Sequence, residues 1–477
     1  MRPVRTRFML AALAGALLLL CCSPAPAQAG SSALRSLRGG TLACRTELSL
    51  GFLYGAGSRP GALGAAVATL RSGPTSATSN PAGLAFLESN ALVIDAVPGL
   101  GVPLAEFLDA EGRAATAIDD AISDVAADDI ALAYPSLDVW AGQQGGVLSG
   151  LAAVRIGRVA AAAAFEEPLA LDLSFVDTGI EAFAEAVKSE GSGDVDIIAR
   201  CFLDAAGRIS ASISRTTLAT AAEVAPTIGV GVSVSHYRAE ASLAGTVRGD
   251  GIVDYGGQEY AFNDPSDPWH NELGADARGA FSGSGIGWTA GASWRPSGWL
   301  ALDAVCCSAP ELRLSGSLTV VENMIPAVSG DGVDVEMIAA SQPTFTEETT
   351  TVHDGPLGLT LPSYAGAALT TRLGPVLATV EYRAYTSGLA YSHEGRSEGI
   401  DLRDGVGLGL DVGGLWAGGG VVRGELRSSD GGQETDDIAI PFVNVGFGVR
   451  LGQNINLDTL ILAVPVQVLR LSLAYEF

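Results

Sequence analysis

The chain carries four histidines, His236, His270, His353 and His393, and none has a serine or carboxylate at the spacing of a nucleophilic or acid–base site. Nothing here sets up an enzyme, and the expectation is a protein with no catalytic residues, no cofactor and no bound metal. Acidic side chains do cluster: Asp119, Asp120, Asp124, Asp128 and Asp129, then Asp264 and Asp267, then Asp331, Asp334 and Glu336. Carboxylates at such density could hold a divalent cation, but no spacing among them matches a calcium loop, and they read as solvated loops. Of the six cysteines, Cys21 and Cys22 lie in the amino-terminal leader, which leaves Cys44, Cys201, Cys306 and Cys307. Cys306 and Cys307 are neighbours that point to opposite faces of a strand and should not pair. No disulfide framework emerges, although a single bridge elsewhere stays open.

The elements that carry these residues begin with a leader. Arg2, Arg5 and Arg7 precede an apolar run from Phe8 to Leu20 and then Ala27-Gln28-Ala29, the pattern of a secretory signal peptide over residues 1–29. Acylation at the leader cysteines fits poorly, because Leu20 and Cys21 are not the small residues that modification wants. Hydrophobic residues make up 48% of the chain and charged ones 17%, yet beyond Leu20 no apolar run reaches the ~18 residues of a membrane helix. Strands that alternate apolar and polar residues reconcile the two observations. Loss of the leader arginines would take the net charge from −25 to −28, which excludes nucleic acid and anionic headgroups as partners of a basic patch.

Alternation is clearest at the carboxyl end. Leu469, Leu471, Leu473, Tyr475 and Phe477 share one face, and Arg470, Ser472, Ala474 and Glu476 the other. An edge strand of a soluble sandwich would alternate too, but an aromatic terminus facing lipid is what the closing strand of an outer-membrane barrel needs. The scheme recurs at Ile228–Val234, at Ile286–Trp294 and at Val376–Ala384, where Glu381 and Arg383 lie on the polar face and could pair in a wet lumen. Trp294 and Trp299 bracket a short turn, where an interfacial aromatic girdle would lie. The pattern predicts fourteen strands: 91–100, 146–155, 158–174, 209–222, 228–247, 280–294, 299–320, 361–373, 376–392, 403–413, 415–427, 438–451, 455–462 and 466–477. Short turns alternate with long connections near 101–145, 175–208, 248–279 and 321–360, placing the long loops on one side. Ile118, Ile122 and Val125, and then Ile180, Phe183, Ala184 and Val187, recur at helical spacing, with Ile197, Ile198, Cys201 and Phe202 following. Amphipathic helices are expected there, packed on one another or forming a groove in which Ile180, Phe183, Val187, Ile198 and Phe202 capture an apolar ligand. In the third strand Phe165-Glu166-Glu167-Pro168 interrupts a small apolar run; proline donates no ladder hydrogen bond, so either the wall breaks locally here or the proline lies above the membrane.

Ahead of the first strand, Tyr54-Gly55-Ala56-Gly57-Ser58-Arg59-Pro60-Gly61-Ala62-Leu63-Gly64 leads through Ser72-Gly73 to Ser79-Asn80-Pro81-Ala82-Gly83-Leu84. A Gly-rich stretch, a small-residue stretch and then Asn-Pro-Ala resembles the amino-terminal segment of the FadL/TodX family of outer-membrane transporters for hydrophobic compounds. Gly285–Trp294 with its turn, Leu314-Ser315-Gly316, Leu361-Pro362-Ser363 and the terminal Phe477 are also similar to family features. The resemblance implies an all-β fold, a transmembrane antiparallel barrel of about fourteen strands over 91–477, with residues 30–90 as an amino-terminal extension and plug containing Asn80, Pro81 and Ala82. It further implies a monomer in the bacterial outer membrane, surrounded by its lipid. The hydrophobic cargo would be long-chain fatty acids or aromatic hydrocarbons, captured by outer loops and released sideways near Phe165, Glu166, Glu167 and Pro168. Gly30–Phe52, with Arg35, Arg38, Arg45 and the lone Cys44, looks like an addition ahead of the usual plug. The competing reading, from distant relatives with the same plug and barrel, is a secretion accessory whose outer loops bind a protein partner.

Overall fold

The computed structural model describes residues 41–49, 68, 73–98, 100–103, 129–132, 136–143, 145–190, 193–255, 257–262, 273–324, 328–329, 332–333, 346–354, 357–393, 396–428, 434–464 and 468–477. Within them fourteen strands follow one another as an up-and-down antiparallel meander. The first half comprises β1 (Ala91–Val97, continued by Leu100–Pro103), β2 (Ser136–Gln143, continued by Gly146–Ile156), β3 (Val159–Glu190), β4 (Gly193–Ala225), β5 (Ile228–Tyr255), β6 (Leu273–Ser297) and β7 (Leu300–Ser308 with Glu311–Met324). The second half comprises β8 (Thr346–Asp354, Leu357–Thr360 and Tyr364–Leu373), β9 (Val376–Tyr385 with Leu389–His393), β10 (Arg396–Val412), β11 (Leu415–Ser428), β12 (Glu434–Leu451), β13 (Ile455–Val464) and β14 (Val468–Glu476). β14 pairs back onto β1 from Ala91↔Glu476 to Ala96↔Leu471, so the sheet closes and has no edge at that seam. The Phe477 amide donates to the Asn90 carbonyl at 2.9 Å and completes the closure.

Period-two alternation places the two sides of the wall. On β5 the outward Ile228, Val230, Val232 and Val234 are 39–55% exposed, while the inward Ser233 and Ser235 are buried. The outward apolar run ends at Val234, and the exposed His236 and Arg238 follow on the same face, with Arg238 pairing to Glu240 at 2.5 Å. From Ile228 to His236 the strand covers about 26 Å at ~3.3 Å per residue. A tilt of ~40° reduces that to a band about 20 Å tall, near the ~25 Å apolar band of transmembrane barrels. Trp294 and Trp299 stand exposed at the short-turn end, and Tyr475 stacks on Phe477 there with ring centres 6.0 Å apart. Gly157 and Gly374 each take a φ of 63° in these tight turns, a left-handed conformation that a side chain would strain.

Two expectations need correction. Residues 175–208 are not a loop, and 180–187 and 197–202 are not helical. β3 and β4 run on as one hairpin, paired from Val159↔Ala222 to Glu190↔Gly193 with only Gly191 and Ser192 between. In the same way β5 and β6 extend to Leu273↔Gly249, well into the expected loop at 248–279. Apolar residues three and four apart also occur by chance in an Ala-rich strand, and a growing ladder offers every backbone group a partner across the hairpin, which isolated helical turns cannot match. The expected helix through Ile118, Ile122 and Val125 lies outside the described residues.

A strand that belongs to none of the fourteen precedes them. Thr41–Ser49, the leading strand, pairs antiparallel with β3 from Thr41↔Thr178 to Ser49↔Ala170. Its other edge runs parallel to β2 from Thr41↔Ser136 to Glu47↔Gly142, the one parallel pairing among the described residues.

Candidate functional site in the barrel lumen

Small residues let the chain coil tightly before β1. Gly73–Thr75 and Pro81–Phe86 are short 3-10 turns, and Ser76–Ser79 is a single helical turn between them. Ser76 Oγ donates to the Gly73 carbonyl at 2.7 Å and Thr78 Oγ1 to the Thr75 carbonyl at 3.3 Å, so the hydroxyls satisfy backbone acceptors that the turns leave over. Asn80 is extended, and its Oδ1 accepts the Ala82 amide at 3.3 Å, capping the turn that Pro81 opens.

That coil sits on the inward face of the wall. Asn80, Ala82 and Leu84 are completely buried, and Leu84 and Ala85 pack among Val93, Leu151, Ala160 and Ala219. Glycines on β5 and β6 let it approach: a Cβ at Gly229 would lie 2.7 Å from the Phe86 ring, one at Gly231 2.7 Å from the Ala82 amide nitrogen, and one at Gly291 2.9 Å from Asn80 Cγ. Arg295 stacks over the Phe86 ring at 3.9 Å. The junction with β1 is tied by Arg155, whose guanidinium donates to the Leu87 carbonyl at 2.8 Å and to Glu223 at 2.5 Å, while its amide donates to Asn90 Oδ1 at 2.9 Å.

Beyond this coil Ile213, Leu312, Leu314 and Leu361 form a buried apolar cluster around Tyr237, and paired charges lie beside it. Glu166 on β3 takes two hydrogen bonds from Arg215 on β4, one of them at 2.7 Å, and Arg215 reaches Tyr237 Oη on β5 at 3.4 Å. Glu381 and Arg383, two apart on β9 and both buried, form an ion pair facing inward. Arg383 lies 5.6 Å from the Tyr364 ring centre. At the closure seam the buried Asp95 accepts hydroxyls from Ser149 on β2 and Ser472 on β14. At such buried positions an unpaired charge would be costly, and each of these has its partner on the same or an adjacent strand.

The expected wall residues fall at a change of partner. Phe165 points outward and is 48% exposed; Glu166 points inward to Arg215. On the β4 side the pairing passes from Glu166↔Arg215 to Leu169↔Ile213, so Glu167 and Pro168 bulge against Ser214. On the other side β2 leaves β3 at Ser149↔Glu166, and the leading strand takes over at Ser49↔Ala170. The proline therefore stands at the foot of the inserted strand.

The residues expected to capture ligand are spread along the two limbs of the β3–β4 hairpin. Ile180, Phe183 and Val187 pair with Leu203, Arg200 and Asp196, Ile198 with Glu185 and Phe202 with Glu181, so no two of the five are direct partners. Ile198 is half-buried, and the other four side chains lie outside the described residues. Among the described residues no cluster of His, Cys, Asp or Glu is suited to a metal ion, and no helix is long and apolar enough to cross a membrane, which says nothing of strands. Asp95, Arg215 and the glycines under Asn80 and Pro81 escaped sequence reasoning. The available signal was parity, since Asp95 falls between the outward Leu92 and Ile94 on one side and Ala96 on the other.

No protein-family model matches the chain, and no curated protein matches it in sequence. Among solved structures it is similar to a Pseudomonas aeruginosa FadL homologue, at 15% identity and a TM-score of 0.44 over 91% of this chain and 98% of that one. It is also similar to the Ralstonia pickettii toluene transporter TbuX, at 13% identity and a TM-score of 0.45 over 89% of this chain and 99% of that one. The P. putida toluene transporter TodX is similar at 12% identity and a TM-score of 0.44, again over 89% and 99%. The chain's own pairing closes an antiparallel barrel of fourteen strands among the described residues.

Proposed function

We propose that the protein is an outer-membrane passive transporter of hydrophobic compounds, long-chain fatty acids or aromatic hydrocarbons among them. The observation that carries this reading is the pairing of the Gly73–Phe86 coil, packed on the inner face of β1 to β6, with a wall whose β2–β3 ladder stops at Glu166. A coil acting as plug would oppose free diffusion of ions and small solutes, whereas an apolar molecule needs only a route from the lumen into the bilayer. The coil with Asn80, Pro81 and Ala82 serves as plug, residues 91–477 as the barrel, and the bulge at Glu167 and Pro168 as the place where cargo leaves sideways. Long hairpins opposite the short turns form the outer rim, where Ile180, Phe183, Val187, Ile198 and Phe202 meet the ligand. The step is downhill, so it needs no catalytic residue, no cofactor and no energy source.

Uptake of a fluorescent fatty acid and of an alkylbenzene into liposomes tests the reading. Refolded protein should accelerate entry of at least one over protein-free vesicles, with no matching rise in ion conductance. Folded protein that accelerates neither, or that conducts ions as an open pore, overturns it. Capture of a secreted protein by the outer hairpins in place of uptake would favour the secretion-accessory reading instead.

A further inference from the structure

We propose that the amino-terminal part of the chain threads its own barrel, so that Thr41–Ser49 is seated outside the cell and the residues ahead of it are offered to the surroundings. This goes beyond the transport reading and rests only on the outer-membrane placement, with the short turns on the periplasmic side. The level of the leading strand follows from its register. Ser49 stands opposite Ala170 and Thr41 opposite Thr178, five and thirteen residues beyond the outward Phe165. At ~3.3 Å per residue and a tilt of ~40° those positions lie about 13 and 33 Å past it, on the side away from the short turns.

The side chains at that level agree. On β5 the outward Arg238, Glu240 and Ser242 are exposed, while Ala239 and Ala241 turn inward, the reverse of the polarity among residues 228–235. β3 and β4 carry the outward pair Asp172 and Arg208, joined at 2.9 Å, and the leading strand adds Arg45, which is 61% exposed and pairs with Glu47 at 2.8 Å. Such charges belong in water and not against lipid. Ladders to β3 on one edge and to β2 on the other hold the strand there.

Residues farther along the chain are inside. Ala68 packs against Val305 and Ala368 of β7 and β8 and against Trp416 and Leu460 of β11 and β13, all four buried on the inner face of the wall. The Gly73–Phe86 coil then lies on Gly229 and Gly231, close to the turn at Pro226 and Thr227. Between Ser49 and Ala68 the chain therefore comes down through the barrel, because the other way down runs through lipid, where an exposed backbone finds no hydrogen-bond partner. Thr41 is the outermost residue of the strand, and what precedes it starts from the outer rim. Arg35 and Arg38 thus become bonds that a protease outside the cell can cut, whereas Arg155 and Arg158 flank a short turn on the opposite side.

Thiol labelling on intact cells with the protein in their outer membrane tests the threading. In a chain carrying Cys44→Ala, Cys201→Ala, Cys306→Ala and Cys307→Ala, Arg45→Cys should react with a membrane-impermeant maleimide as fully as Arg208→Cys on β4, and at least tenfold more than Arg158→Cys at the short turn. Arg45→Cys that reacts only after permeabilisation, while Arg208→Cys reacts from outside, overturns the threading. Arg158→Cys labelled from outside in place of Arg208→Cys would defeat the orientation in the membrane, and the proposal with it. The unaltered chain gives a second measurement. Trypsin added to intact cells should cut after Arg35 or Arg38 and spare Arg155 and Arg158, as read by mass spectrometry of the recovered protein. An amino end that trypsin spares on intact cells and cuts once the outer membrane is permeabilised overturns the proposal. Neither measurement involves uptake, so failure of the transport reading leaves both decisive.

Discussion

A glycine on β6 and an asparagine in the lumen coil make a decisive pair. A Cβ at Gly291 would lie 2.9 Å from Asn80 Cγ and closer still to Oδ1, and 3.4 Å from the Ala304 carbonyl. Carbon atoms rest about 3.5–4.0 Å apart, so the new methyl is short of room by roughly 0.6–1.1 Å against Cγ alone. The wall cannot give, because Gly291 is held between Gly231 on β5 and Val305 on β7. Asn80 must give instead, and its Oδ1 is the cap of the Ala82 amide. Overpacking of this kind costs about 1–3 kcal/mol, which is roughly a 5- to 140-fold shift toward the unseated coil. Gly291→Ala should therefore speed hydrogen exchange of the amides of residues 82–86 by that factor. Asn80→Ala alone loses the cap, worth about 1 kcal/mol or roughly fivefold. The double variant removes the atom that the methyl strikes, so it should exchange no faster than Asn80→Ala alone, a strongly non-additive result. Gly150→Ala, where nothing lies within 4 Å of the new Cβ, should match wild type. Additive effects of the two substitutions, or a silent Gly291→Ala, would refute the seating of Asn80 against β6.

Gly231→Ala meets backbone, with the Ala82 amide nitrogen at 2.7 Å, so no side-chain truncation should rescue it. Its exchange at 82–86 should stay fast in the Asn80→Ala background, and rescue there would count against the placement of Pro81. Asp95→Ala leaves the Ser149 and Ser472 hydroxyls buried at the closure seam without their acceptor. A loss of about 1–3 kcal/mol is expected, read as a lower urea midpoint for unfolding in detergent, and an unchanged midpoint would show that the seam does not depend on this carboxylate.

Alternation is written residue by residue, which is why so much of the barrel was legible before any pairing was known. Leu469–Phe477 read as the closing strand and pairs with β1; Trp294 and Trp299 read as flanking a short turn and do; Glu381 and Arg383 read as sharing the inner face and form an ion pair there. Strand lengths were less legible. The hairpin to Glu190 and Gly193 was hidden because apolar spacing in its limbs mimics a helix, though Gly191-Ser192 offered a turn signal. Partner identity was legible only where strands follow one another in the meander or close it, as the last strand does against β1 near Leu92. Nothing local to Thr41–Ser49 says that it leaves the plug side, enters the wall and separates β2 from β3, because a strand's face pattern is the same whichever edge it joins. The same holds for Asp95 with Ser149 and Ser472, and for Gly231 and Gly291 beneath Pro81 and Asn80. Local chemistry determined which residues face lipid and which face inward. Closure of the sheet determined which inward residues meet, since that depends on register summed around the whole barrel.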